Sequence, residues 1–272
     1  MEESKQQAVQ VRLSNIYTAL SRRTVALPGV MFVVVVIGWE FGIPALGVES
    51  YILPTPSEIL ASFVEEYPTI IEHLQYTLKA FAVGFVMTVV GGYLLALAMA
   101  EWSILETVLY PYVIAARSIP IITLLPIFIV WLGFGFSSIV AISHLISFFA
   151  MVVNSLSGFK STDEELVEMV QSFSGNRRDV FWNVYLYSSL PYVFAGIKIC
   201  VILAFTGVIA GEYLVGTEGI GHLILQYNNS FATDAMFATI LAISVTQLLL
   251  FGLVVAIERK LVSWDDGITQ GI

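Results

Sequence analysis

Long apolar stretches alternate with short polar ones along the whole chain. Six apolar stretches lie near residues 26 to 46, 75 to 100, 106 to 133, 136 to 157, 190 to 215 and 235 to 258. Each is long enough for a bilayer-crossing helix, which needs about 20 mostly apolar residues. The pattern predicts an all-α fold, a polytopic membrane helical bundle with six transmembrane helices. The third stretch is the least regular, because Pro111, Pro120 and Pro126 punctuate it and Arg117 sits inside it. A broken or kinked helix is expected there, since proline removes a backbone donor and crowds the preceding turn. The polar residues 1 to 24, with Lys5, Arg12, Arg22 and Arg23, precede an apolar run too long for the core of a signal peptide. That run is expected to be a retained first span.

Cationic residues set the expected orientation, because Lys and Arg collect on the cytoplasmic side. They cluster in the N-terminal tail, between Lys160 and Arg178, and at Arg259 and Lys260. Six spans put all three clusters, and both termini, on one side. The expected organisation is a cytoplasmic tail at 1–25, a transmembrane domain at 26–262 with a cytoplasmic loop at 158–189, and a second cytoplasmic tail at 263–272. Outside, residues 47 to 74 carry Leu53-Pro54-Thr55-Pro56-Ser57-Glu58, which reads as a turn opening a short interfacial helix that ends near Tyr67. Ser57 is the expected N-cap. The last outer connection, 216 to 234, is rich in Gly, Asn and Ser, carries Glu218, His222 and Asp234, and has the makings of a docking surface.

The connection between the fourth and fifth stretches is too polar for the bilayer and too ordered in pattern for a linker. Thr162 is placed to cap a helix with Glu165 three residues on. Leu166, Met169, Val170 and Phe173 then recur at helical spacing, with Glu164, Glu165 and Glu168 on the other face. Gly175 is expected to end that helix in a left-handed conformation. A second amphipathic piece follows with Val180, Phe181, Val184 and Tyr185. Two short helices joined by a glycine turn either pack on the ends of the bundle or present a face to a partner; periodicity leaves both open.

Composition narrows the chemistry. The chain is 57% hydrophobic and 12% charged, against roughly 45 to 50% and about 25% in soluble domains. The net charge of -9 reflects acids in the polar connections, and the scattered cations form no nucleic-acid-binding stripe. Cys200 is the single cysteine, so no intrachain disulfide forms, and no Cys/His cluster has metal-ligand spacing. No Gly-Lys dipeptide occurs, which excludes a phosphate-binding Gly-x-x-x-x-Gly-Lys-Ser/Thr loop and with it the usual ATPase site. No nucleophile, base and oxyanion set points to an enzyme, and no cofactor is implied. An ionisable group at a helix centre costs roughly 2.5 to 3.5 kcal/mol on insertion scales, which singles out Arg117, His144, Lys198 and Glu212, with Glu40 and Lys79 nearer the ends. Arg117, beside Ser118 and Thr123, either lines a polar pathway or pairs, like Lys198, with a carboxylate such as Glu212. His144 and Glu212 are pathway candidates with the same structural alternative.

In the cytoplasmic loop, Glu168-Met169-Val170, Ser174 and Val184-Tyr185-Leu186-Tyr187 follow a signature that runs Glu-Ala-Ala, then Gly, then Ile-x-Leu-Pro. The glutamate and leucine are kept, while both alanines, the glycine and the proline are replaced. Further stretches follow in order: Leu53 to Leu60, Arg117-Ser118-Ile119-Pro120 to Trp131-Leu132-Gly133-Phe134-Gly135, Leu190-Pro191-Tyr192-Val193-Phe194-Ala195-Gly196, and Ala210-Gly211-Glu212 to Gly219-Ile220-Gly221. Over residues 30 to 262 the chain resembles the permeases of the nitrate, sulfonate and taurine group of binding-protein-dependent ABC importers. The resemblance implies a translocation pathway for a small anionic solute. It also implies a separate ATPase subunit dimer that binds ATP, a second permease copy, expected to be identical, and an extracytoplasmic solute-binding protein. Contact with the ATPase is then expected at Glu164, Glu165, Glu168, Ser174, Gly175, Arg177 and Arg178, within the loop 161–186. The rival reading, a secondary transporter or channel without an ATPase, favours inverted repeats with paired broken helices, and the two halves show no such similarity.

Overall fold

The computed structural model describes residues 27–262 and Trp264. The expected tails at 1–25 and 263–272 lie outside these residues, Trp264 apart. The chain forms two compact units, one running to Glu65 and including Phe231–Ala238, the other comprising Glu66–Ser230 and the chain from Thr239 onward.

The first unit holds α1 (Leu27–Ala45) and α2 (Pro56–Glu65). The indole of Trp39 donates to Pro54 O at 3.0 Å, and the Glu40 carboxylate accepts from both Ser57 N (3.0 Å) and Ser57 Oγ (2.6 Å). Ser57 is therefore occupied by Glu40, and the cap of α2 is Thr55. The Thr55 N–H donates to Glu58 Oε2 at 2.8 Å, Thr55 Oγ1 accepts from Glu58 N at 3.4 Å, and the first helical bond runs from Ile59 N to Thr55 O. Proline at position 56 is tolerated because the first helical N–H has no partner to lose. The Thr55 N–H and the Ser50 hydroxyl hold the Glu58 carboxyl below its ordinary pKa.

The second unit is built on α3 (Tyr67–Glu101), α6 (Phe136–Lys160) and α8 (Arg177–Val215), with α6 packed between the other two. Helices in lipid gain nothing from burying one apolar face against another and associate through small residues that allow close approach. A Cβ on Gly84 of α3 would meet Ser143 Oγ of α6 at 2.8 Å, one on Gly92 would meet Met151 Cβ at 2.8 Å, and one on Gly207 of α8 would meet Ser143 Cα at 3.0 Å. The serines of α6 use this proximity: Ser143 Oγ donates to Ala204 O at 2.9 Å, and Ser147 Oγ lies 2.9 Å from Thr88 Oγ1. Phe81, Phe205, Ile139 and Val208 fill the space between.

Among the described residues five helices are long and apolar enough to cross a membrane: α1, α3, α6, α8 and α10 (Thr233–Leu261). The third apolar stretch is broken, as expected. It divides into α4 (Ser103–Arg117), a 3-10 turn (Ile121–Leu124) and α5 (Leu125–Leu132). Of the three prolines Pro120 falls at the break, just after the end of α4, where a proline disfavours helical geometry in the residue before it. Pro111 is accommodated inside α4, and Pro126 sits in the first turn of α5, where its missing donor is not needed. Two boundaries differ from expectation. The outer connection is shorter because α3 already starts at Tyr67, with Pro68 in its first turn and Ile70 fully buried. The span expected at 190 begins at Arg177.

Candidate coupling site

The loop between α6 and α8 contains α7 (Glu164–Ser172), which has no buried residue. Its order is local. Asp163, rather than Thr162, is the N-cap, its side chain accepting from Glu165 N at 2.9 Å; Thr162 Oγ1 is buried with no hydrogen-bond partner among the described residues. At the other end Gly175 N donates to Val170 O (3.0 Å) and Ser174 N to Gln171 O (2.9 Å), the pair of bonds that closes a Schellman cap. Ser174, at φ 62°, is the left-handed residue, so the position where the resembled signature has glycine is the one that needs it. Gly175 is required for another reason, since a Cβ there would stand 2.6 Å from Val170 O.

The apolar face expected on α7 exists, and among the described residues nothing covers it: Leu166 is 42%, Met169 51% and Phe173 83% exposed. Glu164, Glu165 and Glu168 are exposed as well. The second amphipathic piece is no separate helix. Asn176 caps α8 through a reciprocal pair with Asp179, the chain passes through a π turn at Phe181–Tyr185, and no breaker stops it before Val215. Val180 and Val184 are buried, while Trp182 is exposed. Arg177 pairs with Glu101 of α3 at 2.5 Å, and Lys160 with Glu106 of α4; Arg178 is exposed. Between these groups lies a cavity of about 1130 Å³ lined by Glu101, Lys160, Thr162, Glu164, Arg178 and Trp182, among others.

A second polar centre lies at the far end of α8. Glu212 is fully buried. Its Oε2 accepts from Thr77 Oγ1 of α3 at 2.9 Å and from Gly221 N at 3.0 Å, while Ile220 N donates to Thr77 Oγ1 at 2.9 Å. Ile220 and Gly221 open α9 (Ile220–Asn229), whose first N–H groups have no partner within the helix. A carboxylate there is favoured by the helix dipole. Gly219 O lies 3.0 Å from His73 Nδ1; a carbonyl only accepts, so Nδ1 carries the proton.

Residues 88–263 match the family described as the binding-protein-dependent transport system inner membrane component. The chain belongs to that family, the permease subunits of ABC importers. It is 31% identical over 238 residues to the formylaminopyrimidine transport permease protein of Halalkalibacterium halodurans, covering 87% of this chain and 95% of that one. The riboflavin transport system permease protein of Chloroflexus aurantiacus is 29% identical, with 87% and 89% covered. The taurine transport system permease protein of Escherichia coli is 25% identical, with 90% and 91% covered. The fold is shared with an amino acid ABC transporter at a TM-score of 0.60 and 19% identity, covering 74% of this chain and 98% of that one. The methionine ABC transporter in an inward-facing form gives 0.55 at 20% identity, with 70% and 93% covered. The permease chain is thus a multi-pass membrane protein of a family of transport components, not of enzymes.

The remaining residues singled out from the permease sequence are dispersed. Arg117 ends α4 and is exposed beside Ser118, with Thr123 exposed in the following 3-10 turn; Arg117 is in none of the ion pairs found among the described residues. His144 is half-buried, its Nδ1 3.1 Å from Thr88 Oγ1 and its ring 5.0 Å from that of Phe148. Lys198 bonds both carboxylate oxygens of Glu258, at 2.8 and 2.9 Å, so its partner is Glu258 of α10 and not Glu212. Sequence reasoning missed His73, Thr77 and Glu258. Three glycines following a lone carboxylate in an apolar run, Gly216, Gly219 and Gly221, were the available signal for a crowded buried group.

Proposed function

We propose that this permease forms the translocation pathway for a small solute and takes its drive from a separate ATPase through residues 161–186. The observation that carries this reading is the uncovered apolar face of α7. Leu166, Met169 and Phe173 stand exposed on a helix that is ordered by its own caps, the form of a preorganised anchor for a groove on another protein. The reading of this side, and of both termini, as cytoplasmic rests on Lys160, Arg177 and Arg178 on the same loop and on Arg259 and Lys260 at the end of α10, because cations collect on the inner side. ATP binding and release on the partner switch the bundle between two states as rigid bodies, with Glu164, Glu165, Glu168, Ser174 and Gly175 at or beside the contact. A second copy of the chain completes the pathway, and a soluble binding protein delivers the solute from outside.

Arg117, in none of the ion pairs found among the described residues and next to Ser118 and Thr123 at the break of the third stretch, favours a small anion such as a sulfonate, because a guanidinium meets such oxygens with two parallel hydrogen bonds. His144, half-buried beside Thr88, is a second polar group on the spanning helices, whereas Glu212 is fully buried and held by Thr77 and Gly221. A second reading, a ring-containing vitamin precursor, is favoured by the names of the formylaminopyrimidine and riboflavin permeases.

Affinity purification of the tagged chain from its native membrane, with ATPase assay of the eluate, tests the coupling. An ATPase with a phosphate loop is expected to co-purify. Glu168→Lys and Gly175→Val should each lower solute-stimulated hydrolysis about tenfold, within the range of coupling free energies, with membrane insertion unchanged. A chain recovered alone that transports down an ion gradient in liposomes overturns the reading in favour of a secondary transporter. Competition of uptake by taurine and by riboflavin separates the two solute classes.

A further inference from the structure

The segment between α8 and α9, Gly216-Thr217-Glu218-Gly219, has the composition of a hinge, with glycine at both ends. The surrounding hydrogen bonds take that freedom away. Glu212, in the last turn of α8, reaches across the segment to Gly221 N, and the same carboxylate oxygen receives the Thr77 hydroxyl that itself accepts from Ile220 N. Packing enforces the closure. A Cβ on Gly219 would stand 2.2 Å from the Glu212 carboxyl, and one on Gly221 2.3 Å from Ile209 O. At the far end of α9, Tyr227 OH donates to Glu66 Oε2 at 2.6 Å. Ile220 and Leu223, on the inner face of α9, are fully buried or nearly so, whereas Gln226, Asn228 and Asn229 are exposed.

From Glu212 the chain runs back as one continuous helix to Arg177, 39 residues in all from Arg177 to Val215, roughly 58 Å at 1.5 Å per residue. Its first turn is joined through Asn176 and Gly175 to α7. The cradle therefore stands at one end of a helix that is continuous through the π turn at Phe181–Tyr185 and through Pro191, and the uncovered face of α7 is joined to its other end by the Ser174-Gly175 cap.

We propose that Glu212, with Thr77, is a positioning pair that locks α9 to α8 across the glycine segment, so that a load on the polar outer end of α9 is delivered to the coupling loop. This rests on the reading of the chain as an ATPase-coupled permease, with α9 on the outer side where the solute-binding protein arrives. Glu212 then acts through the helices it joins, without touching the solute. The bundle stays assembled without the lock, because α3, α6 and α8 pack through contacts elsewhere; what is lost is transmission.

The test uses the permease with its co-purified ATPase in nanodiscs, reading hydrolysis without and with the solute-loaded binding protein. Thr77→Val keeps the shape of the side chain and removes the hydroxyl, and Thr77→Ser restores it. Thr77→Val is expected to keep basal hydrolysis and lose about tenfold of the stimulation, within the 5- to 150-fold span of typical coupling between sites, and Thr77→Ser to regain it. Glu212→Leu, which removes the accepting oxygen, should lower stimulation in the same way, whereas Glu212→Gln, which keeps one, should retain most of it. Unchanged stimulation in Thr77→Val overturns the proposal, as does a parallel fall of basal and stimulated rates that Thr77→Ser fails to restore, the mark of a structural defect alone. A wild-type chain that brings down no ATPase removes the underlying reading before any variant is compared.

Discussion

The two ends of α8 are built in opposite ways. At its start, α7 and the turn at Ser174-Gly175 are held by bonds between residues close in sequence, Asp163 with Glu165 and Gly175 with Val170, and the apolar side chains they position stay uncovered. At its end, Glu212 is bound to Thr77, 135 positions away in the chain, and is fully buried. A segment that must meet another protein can be preorganised by local caps while its binding face stays exposed. A carboxylate at membrane depth must find its donors inside the fold, because no water is available and an unpaired charge there is costly. The first arrangement leaves order independent of the bundle, and the second makes order a property of it.

Substitutions should separate the two. The largest effect is expected for Gly221→Val, whose Cβ has no room between Ile209 O and the Glu212 side chain. It should cost about 3 kcal/mol or more, read as a large fall in the thermal unfolding midpoint in detergent. A midpoint equal to wild type would show the cradle to be soft. Next is Lys198→Met, which strands the nearly buried Glu258 carboxylate without its partner. Because the Lys198 side chain is itself 29% exposed, the loss should fall toward the low end for a broken buried pair, about 2 to 3 kcal/mol, and Glu258→Gln in the same background should recover part of it. The smallest effect should come from the loop. Ser174→Gly relieves the left-handed strain of a residue with a Cβ and should stabilise α7 by about 1 kcal/mol, seen as roughly fivefold greater hydrogen-exchange protection of the α7 amides with the global midpoint unmoved. A shift of that midpoint would mean that the loop is not locally ordered.

These differences also mark what could be read without a structure. The apolar stretches gave the helical class and the positions of α1, α6 and α10 to within a few residues, and Pro120 was visible as a breaker. The caps came out displaced, from Ser57 to Thr55, from Thr162 to Asp163 and from Gly175 to Ser174. Neighbouring residues of similar capping ability differ by less than the tertiary contacts that choose between them, such as the bonds from Ser57 to Glu40. The second amphipathic piece looked like a separate helix because its polar residues face water, yet nothing in it stops a helix, and it runs on into the span.

The sequence by itself determined the membrane setting, the helical class, the broken third stretch and the amphipathic loop, because each depends on the period and composition of one continuous segment. Only the tertiary structure decided that α6 lies between α3 and α8, that Lys198 pairs with Glu258, and that Glu212 closes on Thr77 and the start of α9. These depend on which donors and which small residues meet across helices far apart in the chain, and inside a bilayer a buried polar group is settled by whatever partner the packing brings within hydrogen-bond reach.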